Sequence, residues 1–96
     1  MTKEQIITRV VTDTHVSRTT VEKVIQSLLK NIINVVAGGS SVTFLNFGTF
    51  KPRKVKGRLV RNPRNGDPVN MPTHLVPRFI PGKEFREKVY YVIRKE

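Results

Sequence analysis

The chain has 96 residues, no cysteine, only two histidines (His15 and His74) and a formal net charge of +11. That length allows one domain with a small core, and the composition excludes disulfides and thiolate metal sites and disfavours a histidine zinc site. So strong a positive charge points to a nucleic acid or an anionic surface as partner. The opening Met1-Thr-Lys-Glu-Gln leads into a mixed polar and apolar segment, so no secretory signal is expected. No stretch approaches the ~18 consecutive apolar residues of a membrane span. The expectation is a cytoplasmic protein with no membrane partner.

Thr2-x-x-Gln5 has the spacing of a capping box and opens a first helix. Ile6, Ile7, Val10, Val11 and Thr14 follow at helical intervals, and the helix should end near Thr14–Val16. Ser17 suits the N-cap of a second helix, which Gly38-Gly39 ends. That helix carries a wide apolar stripe, including Leu28, Leu29, Ile32 and Val36. One short preceding helix cannot cover it. Either it is buried in a small core of its own or it packs against a second copy of the chain. The second reading is favoured, because little other mass is available. Two helices joined by a tight turn invite a helix-turn-helix reading of DNA. The second helix is too apolar all round to lie in a major groove, with only Arg18, Lys23 and Lys30 basic on it.

Ser41–Leu45 reads as a short strand, Asn46-Phe-Gly48 as a turn, and Thr49-Phe50 as the start of a second strand. Phe44, Phe47 and Phe50 are expected to pack in a core or interface, and Gly48 to meet a backbone-conformation requirement in the turn. Residues 51–66 then hold seven basic residues, Lys51, Arg53, Lys54, Lys56, Arg58, Arg61 and Arg64, and no acidic one. Strand alternation puts Lys54, Lys56 and Arg58 on one face and Lys51, Arg53 and Arg61 on the other. Pro52 and Pro63 argue against a central strand. The stretch is read as the outgoing half of a protruding ribbon, with its tip at Arg61–Asp67. Asn-Pro starts turns there, and Asn-Gly tolerates positive φ. The return strand runs from near Val69 towards Ile80, with Pro68, Pro72 and Pro77 limited to edge or protruding positions. A last helix is expected over Glu84–Ile93, with Phe85, Val89 and Val92 or Ile93 as its apolar face.

The Phe47-Gly-Thr-Phe50 motif, Arg58 and Arg61-Asn-Pro-Arg-Asn-Gly66, Val76-Pro-Arg-Phe79 and Gly82-Lys83 carry a resemblance. With the helical start, the chain resembles the bacterial histone-like DNA-bending proteins, the HU and integration host factor family, over essentially its whole length. The resemblance implies an α+β fold: an N-terminal helix-turn-helix, a three-stranded antiparallel sheet with a long protruding β-ribbon arm at about 51–76, and a C-terminal helix. It implies a single domain over 1–96 in an intertwined dimer, with Phe79 joining Phe44, Phe47 and Phe50 in the core or interface. Pro63 would wedge between base pairs from the minor groove; from the residues alone it is a turn residue. Asn46 stands where the family commonly has glycine, Leu59-Val60 replaces a more polar pair, and Tyr90–Glu96 runs past the usual end.

On this reading the chain is an architectural, nucleoid-associated protein that binds double-stranded DNA largely without sequence specificity, bends it and organises the chromosome. Arg58, Arg61 and Arg64 bracket the tip and suit a narrow minor groove. Lys51, Arg53, Lys54 and Lys56 suit flanking phosphates. Lys83 at a helix start, Arg78, Arg86 and Lys3 are further DNA candidates on the body. Asn62 is a candidate contact, although Asn62 and Asn65 suit shaping the turn better than reading bases. A homodimer is expected, with a heterodimer of paralogues as the alternative. No enzyme activity, cofactor or metal is expected, because no cysteine nucleophile, paired-carboxylate spacing or phosphate-cradling loop is present. Double-stranded RNA is the alternative nucleic acid, and a protein-binding scaffold the alternative class.

Overall fold

The structure, a computed structural model, describes residues 1–90. The chain divides into two compact units, one of residues 1–34 and one from Val35 onward. The first unit holds helix α1 (Lys3–Thr14) and most of helix α2 (Arg18–Ala37). The capping box forms as expected: Thr2 Oγ1 accepts from the Gln5 amide at 3.2 Å, and Gln5 Oε1 accepts from the Thr2 amide at 2.8 Å. His15 ends α1 in the left-handed region, at φ 59°. Ser17 Oγ accepts from the Thr20 amide at the start of α2. Arg18 ties the helix pair together. Its guanidinium donates to Thr8 Oγ1 at 2.8 Å and to the Glu4 carbonyl at 3.3 Å, and it pairs with Glu22 at 3.0 Å.

Burial in this unit is slight. Ile7 is 2% exposed and Val21 5%, and they are the only buried hydrophobic side chains among the described residues. On α2, Val24, Leu28, Leu29 and Ile33 are exposed, Ile33 to 66%, while Ile32 and Val36 are half-buried. The helix therefore has no sufficient core of its own. Gly39, at φ 92°, ends it by donating to Val36, while Ser40 donates to Val35. These two bonds satisfy terminal carbonyls in the manner of a Schellman cap.

The second unit is built on a three-stranded antiparallel sheet of β1 (Val42–Phe44), β2 (Gly48–Val55) and β5 (His74–Pro81), with β2 in the middle. A separate two-stranded sheet pairs β3 (Arg58–Arg61) with β4 (Pro68–Met71). Helix α3 spans Lys83–Val89. β1 pairs with β2 only as far as Val42↔Phe50, whereas β2 and β5 continue together to Val55↔His74. Pro52 thus lies in the middle strand of the sheet but past the end of β1, opposite Pro77. Its missing donor leaves no neighbouring strand unpaired.

All five phenylalanines gather in this unit. Phe50 and Phe79 face each other across the ladder with ring centroids 4.7 Å apart, and Phe47 lies 5.3 Å from Phe85. Phe44 meets both Phe47 and Phe50 edge-on. Gly48 is required by this packing more than by its turn: a Cβ there would lie 2.5 Å from the Phe79 ring and 2.8 Å from the Ile80 carbonyl oxygen. The left-handed residue of the turn is Asn46, at φ 66°, a conformation asparagine tolerates better than most residues. Gly82 is also confined, though less tightly than Gly48, since its Cβ would meet the Asn46 backbone at 2.9 Å.

Three expectations need correction. The arm is not one continuous ladder: Lys56-Gly57 and Pro72-Thr73 interrupt it, and the shared face expected for Lys54, Lys56 and Arg58 is broken there. Pro72 supplies no ladder donor, and a Cβ on Gly57 would meet the Met71 carbonyl at 2.6 Å. The last helix leaves α geometry at Tyr90, which has ψ 103°. Val92, Ile93 and the rest of the C-terminal extension lie outside the described residues.

Gly48→Ala should destabilise the protein by about 1–3 kcal/mol, the usual cost of overpacking. Urea unfolding at fixed protein concentration checks this, and an unchanged midpoint would show that the Phe79 ring yields freely.

Candidate nucleic-acid interface

From Lys51 outward the chain is a two-stranded structure with few places to bury anything. Arg53, Lys54, Lys56, Arg58, Arg61 and Arg64 are exposed, and Lys51 is half-buried. Among the described residues the one ion pair is Arg18–Glu22, so no arm cation is paired with a described carboxylate.

The β2–β5 register decides which of these charges share a face. Directly opposed residues of an antiparallel pair project to the same side. Phe50↔Phe79 and Pro52↔Pro77 lie on one side, followed by Lys54↔Leu75. Thr49↔Ile80, Lys51↔Arg78, Arg53↔Val76 and Val55↔His74 lie on the other. Lys51, Arg53 and Arg78 are thereby gathered behind the phenylalanine face. Lys51 and Arg78 are direct cross-strand partners, an arrangement that destabilises the sheet unless an anion sits over it.

Beyond the interruption, Arg58, Val60, Val69 and Met71 share one side of the β3–β4 ribbon, and Leu59, Arg61, Pro68 and Asn70 the other. Leu59 is 69% exposed. The tip, residues 62–67, is held by its own polar groups. Asn62 donates its amide to the Asp67 carbonyl at 2.8 Å, and its carbonyl accepts the Gly66 amide at 2.7 Å. Asn62 Oδ1 accepts from the Arg64 amide, and Asn65 Oδ1 from the Asp67 amide, both at 2.9 Å. Arg61 donates to the Gly66 carbonyl at 3.0 Å, and Gly66 takes φ 76°. Pro63 needs no donor in this network and stands exposed at the apex. Both asparagine oxygens are thus occupied in shaping the turn.

On the body, Lys83 and Arg86 are exposed at the first turn and last turn of α3. Glu84 follows Lys83 in the same first turn and weakens an anion site there. Lys3 is exposed at the start of α1, in the other unit. Two residues emerge that sequence reasoning passed over. Thr73 Oγ1 accepts the Gly57 amide at 3.0 Å across the interruption. His74 stands on the face of Lys51, Arg53 and Arg78, with Nδ1 2.9 Å from the Pro72 carbonyl oxygen. Only the strand register places His74 beside the cations.

A family model described as bacterial DNA-binding protein matches residues 1–90. The DNA-binding protein HU of Thermotoga maritima is 35% identical over 89 residues, covering 93% of this chain and 99% of that one. Integration host factor subunit beta of Halorhodospira halophila is 34% identical over 90 residues, covering 93% of this chain and 88% of that one. Among solved structures, an Anabaena HU–DNA cocrystal structure is similar with a TM-score of 0.88 and 35% identity, covering 96% of this chain and all of that one. The chain belongs to the bacterial DNA-binding protein family of HU and integration host factor, a family of architectural proteins and not of enzymes.

Proposed function

We propose that the protein binds duplex DNA largely without sequence preference, as a dimer whose two arms wrap the duplex. Pro63 enters between base pairs from the minor groove and bends the DNA, and the protein thereby compacts and organises the chromosome in a cytoplasmic nucleoid. The observation that carries this reading is an arm dense in cations without described acidic partners, ending in an exposed proline on a self-braced turn. Unstacking a base step costs a few kcal/mol. Phosphate contacts by Lys51, Arg53, Lys54, Lys56 and Arg78 along the bent flanks offset that cost, with release of counterions, while Arg58 and Arg64 bracket the tip at the minor groove. Lys83 and Arg86 on α3 are further phosphate contacts in the second unit, and Lys3 on α1 is one in the first. Arg61 divides its donors between the turn and the groove. The side-chain oxygens of Asn62 and Asn65 are engaged in the turn, so these two acceptors shape the tip and do not read bases.

The dimer rests on exposed apolar surface. Val24, Leu28, Leu29 and Ile33 open one side of α2, and Phe47 is 47% exposed. Leu45, Phe47, Phe85 and Val89 line an open hollow of about 440 Å³. A monomer of this size would seldom leave so much uncovered, and a second copy is the partner available to a purified chain. Leu28→Glu should convert the protein from a dimer to an unfolded or monomeric chain in sedimentation equilibrium. A dimer that persists with native circular dichroism would move the interface elsewhere. A wild-type chain that is monomeric alone would point to a heterodimer.

Gel-shift titrations with matched linear, nicked and four-way-junction DNA, across salt, test the main reading. Tighter binding to the distorted forms with a steep salt slope is expected. Equal binding to all forms would remove the bending role, and preference for one sequence would favour a specific reader. Pro63→Ala should reduce bending in an energy-transfer assay on end-labelled DNA and reduce the preference for nicked DNA, while keeping the salt slope. Lys51→Gln should have opposite effects on fold and binding. Relieving the pair with Arg78 should stabilise the free protein by about 0.2–1 kcal/mol. The salt slope should become shallower by about 0.9 for each phosphate that Lys51 no longer neutralises. Paired urea-unfolding and salt-titration series check both signs.

A further inference from the structure

We infer that His74 is a proton-dependent phosphate contact, so that DNA binding at the base of the arm takes up protons. The inference rests on the DNA-binding reading above. His74 is exposed on β5, directly opposite Val55, on the face that carries Lys51, Arg53 and Arg78. Its ring geometry gives that position a specific property. Nδ1 lies 2.9 Å from the Pro72 carbonyl oxygen, which can only accept, so Nδ1 carries the hydrogen. A neutral imidazole has one N–H, and here the carbonyl occupies it. Nε2 of the neutral ring then presents a lone pair, which a phosphate oxygen repels. Only the imidazolium has a second N–H to donate to phosphate, and histidine is the side chain whose charge ordinarily changes between pH 5 and 8.

The ring stands among cations. The strand packed against His74 is β2, whose groups on this face are Arg53, at the diagonal position, and Lys51 beyond it. Arg78 lies on the same face of β5 itself. Lys54 faces the other side, and Lys56 lies in the interruption beside Gly57. The carboxylates of residues 35–90 are Asp67 at the tip and Glu84 and Glu87 on α3. No acidic residue occupies a ladder position near the ring. The protein thus offers the ring cations and no carboxylate among the described residues of this face, and a bound phosphate supplies the negative partner for the imidazolium. His74 joins the phosphate track when the pH falls and leaves it when the pH rises.

The test uses the full-length protein and a nicked duplex of fixed sequence, with affinity measured by fluorescence anisotropy at pH 6 and pH 8 over a range of salt. Wild-type Kd should fall by about tenfold between pH 8 and pH 6, the scale of one charge-assisted hydrogen bond. The salt slope at pH 6 should be steeper by about 0.9 for each His74 engaged. In His74→Ala both differences should vanish. In His74→Arg, which carries a permanent cation, binding should be tight with a steep slope at both pH values. His15→Gln, at the end of α1, should retain the wild-type pH dependence. A flat wild-type profile, an undiminished pH dependence in His74→Ala, or His74→Arg binding as weakly as His74→Ala would each overturn the inference. In those cases a surviving preference for nicked over intact DNA would leave the proposed function standing. Failure of the wild type to bind nicked DNA at either pH would overturn both.

Discussion

The antiparallel register between β2 and β5 governs most of what this molecule presents. Setting Phe50 against Phe79 places two aromatic rings on one side of the sheet and begins the cluster that Phe44, Phe47 and Phe85 complete. The next ladder position sets Lys51 against Arg78 on the opposite side. One residue separates the packed face from the cationic one. A slip of one position would exchange the faces and bury charge against phenylalanine. The cluster therefore pins the charges as firmly as it pins itself, and the repulsion between Lys51 and Arg78 is held in place by aromatic packing on the other side.

The glycines show how closely this is fitted. Gly48 admits the Phe79 ring, Gly82 admits the Asn46 backbone, and Gly57 lets the arm's two strands approach where the ladder is interrupted. Each tolerates an approach that a Cβ would forbid. The interruption has a second consequence. It ends one sheet and starts another, so the ribbon that carries Pro63 is joined to the body through Lys56-Gly57 and Pro72-Thr73 instead of through continuous pairing. The Gly57–Thr73 hydrogen bond spans the gap, and His74 lies immediately after it.

The scarcity of buried side chains links fold to assembly. Ile7 and Val21, the only buried hydrophobic side chains among the described residues, cannot by themselves stabilise a chain of this length. The stripe on α2 signalled this in the sequence, because its apolar residues outnumber what α1 can cover. Helix boundaries were legible for a similar local reason: Thr2, Gln5, Ser17 and the Gly38-Gly39 pair satisfy or terminate backbone groups within a few residues of themselves. The resemblance carried by Phe47–Phe50 and Arg61–Gly66 pointed to the family that the matches to HU and integration host factor then established.

Composition and local spacing were enough to determine a basic, cysteine-free chain with two capped helices, a short strand, a cationic arm and a tight tip. These properties depend on charge, chain chemistry and interactions a few residues apart. The tertiary structure decided what depends on distant pairing. It gathered Lys51, Arg53, Arg78 and His74 on one face, gave Gly48 a steric role against Phe79 31 positions later in the chain, and broke the arm at Gly57. Alternation along a single strand says which neighbours share a side, but not which residue of another strand stands opposite. That information lies in the register, which forms only when the two strands pair.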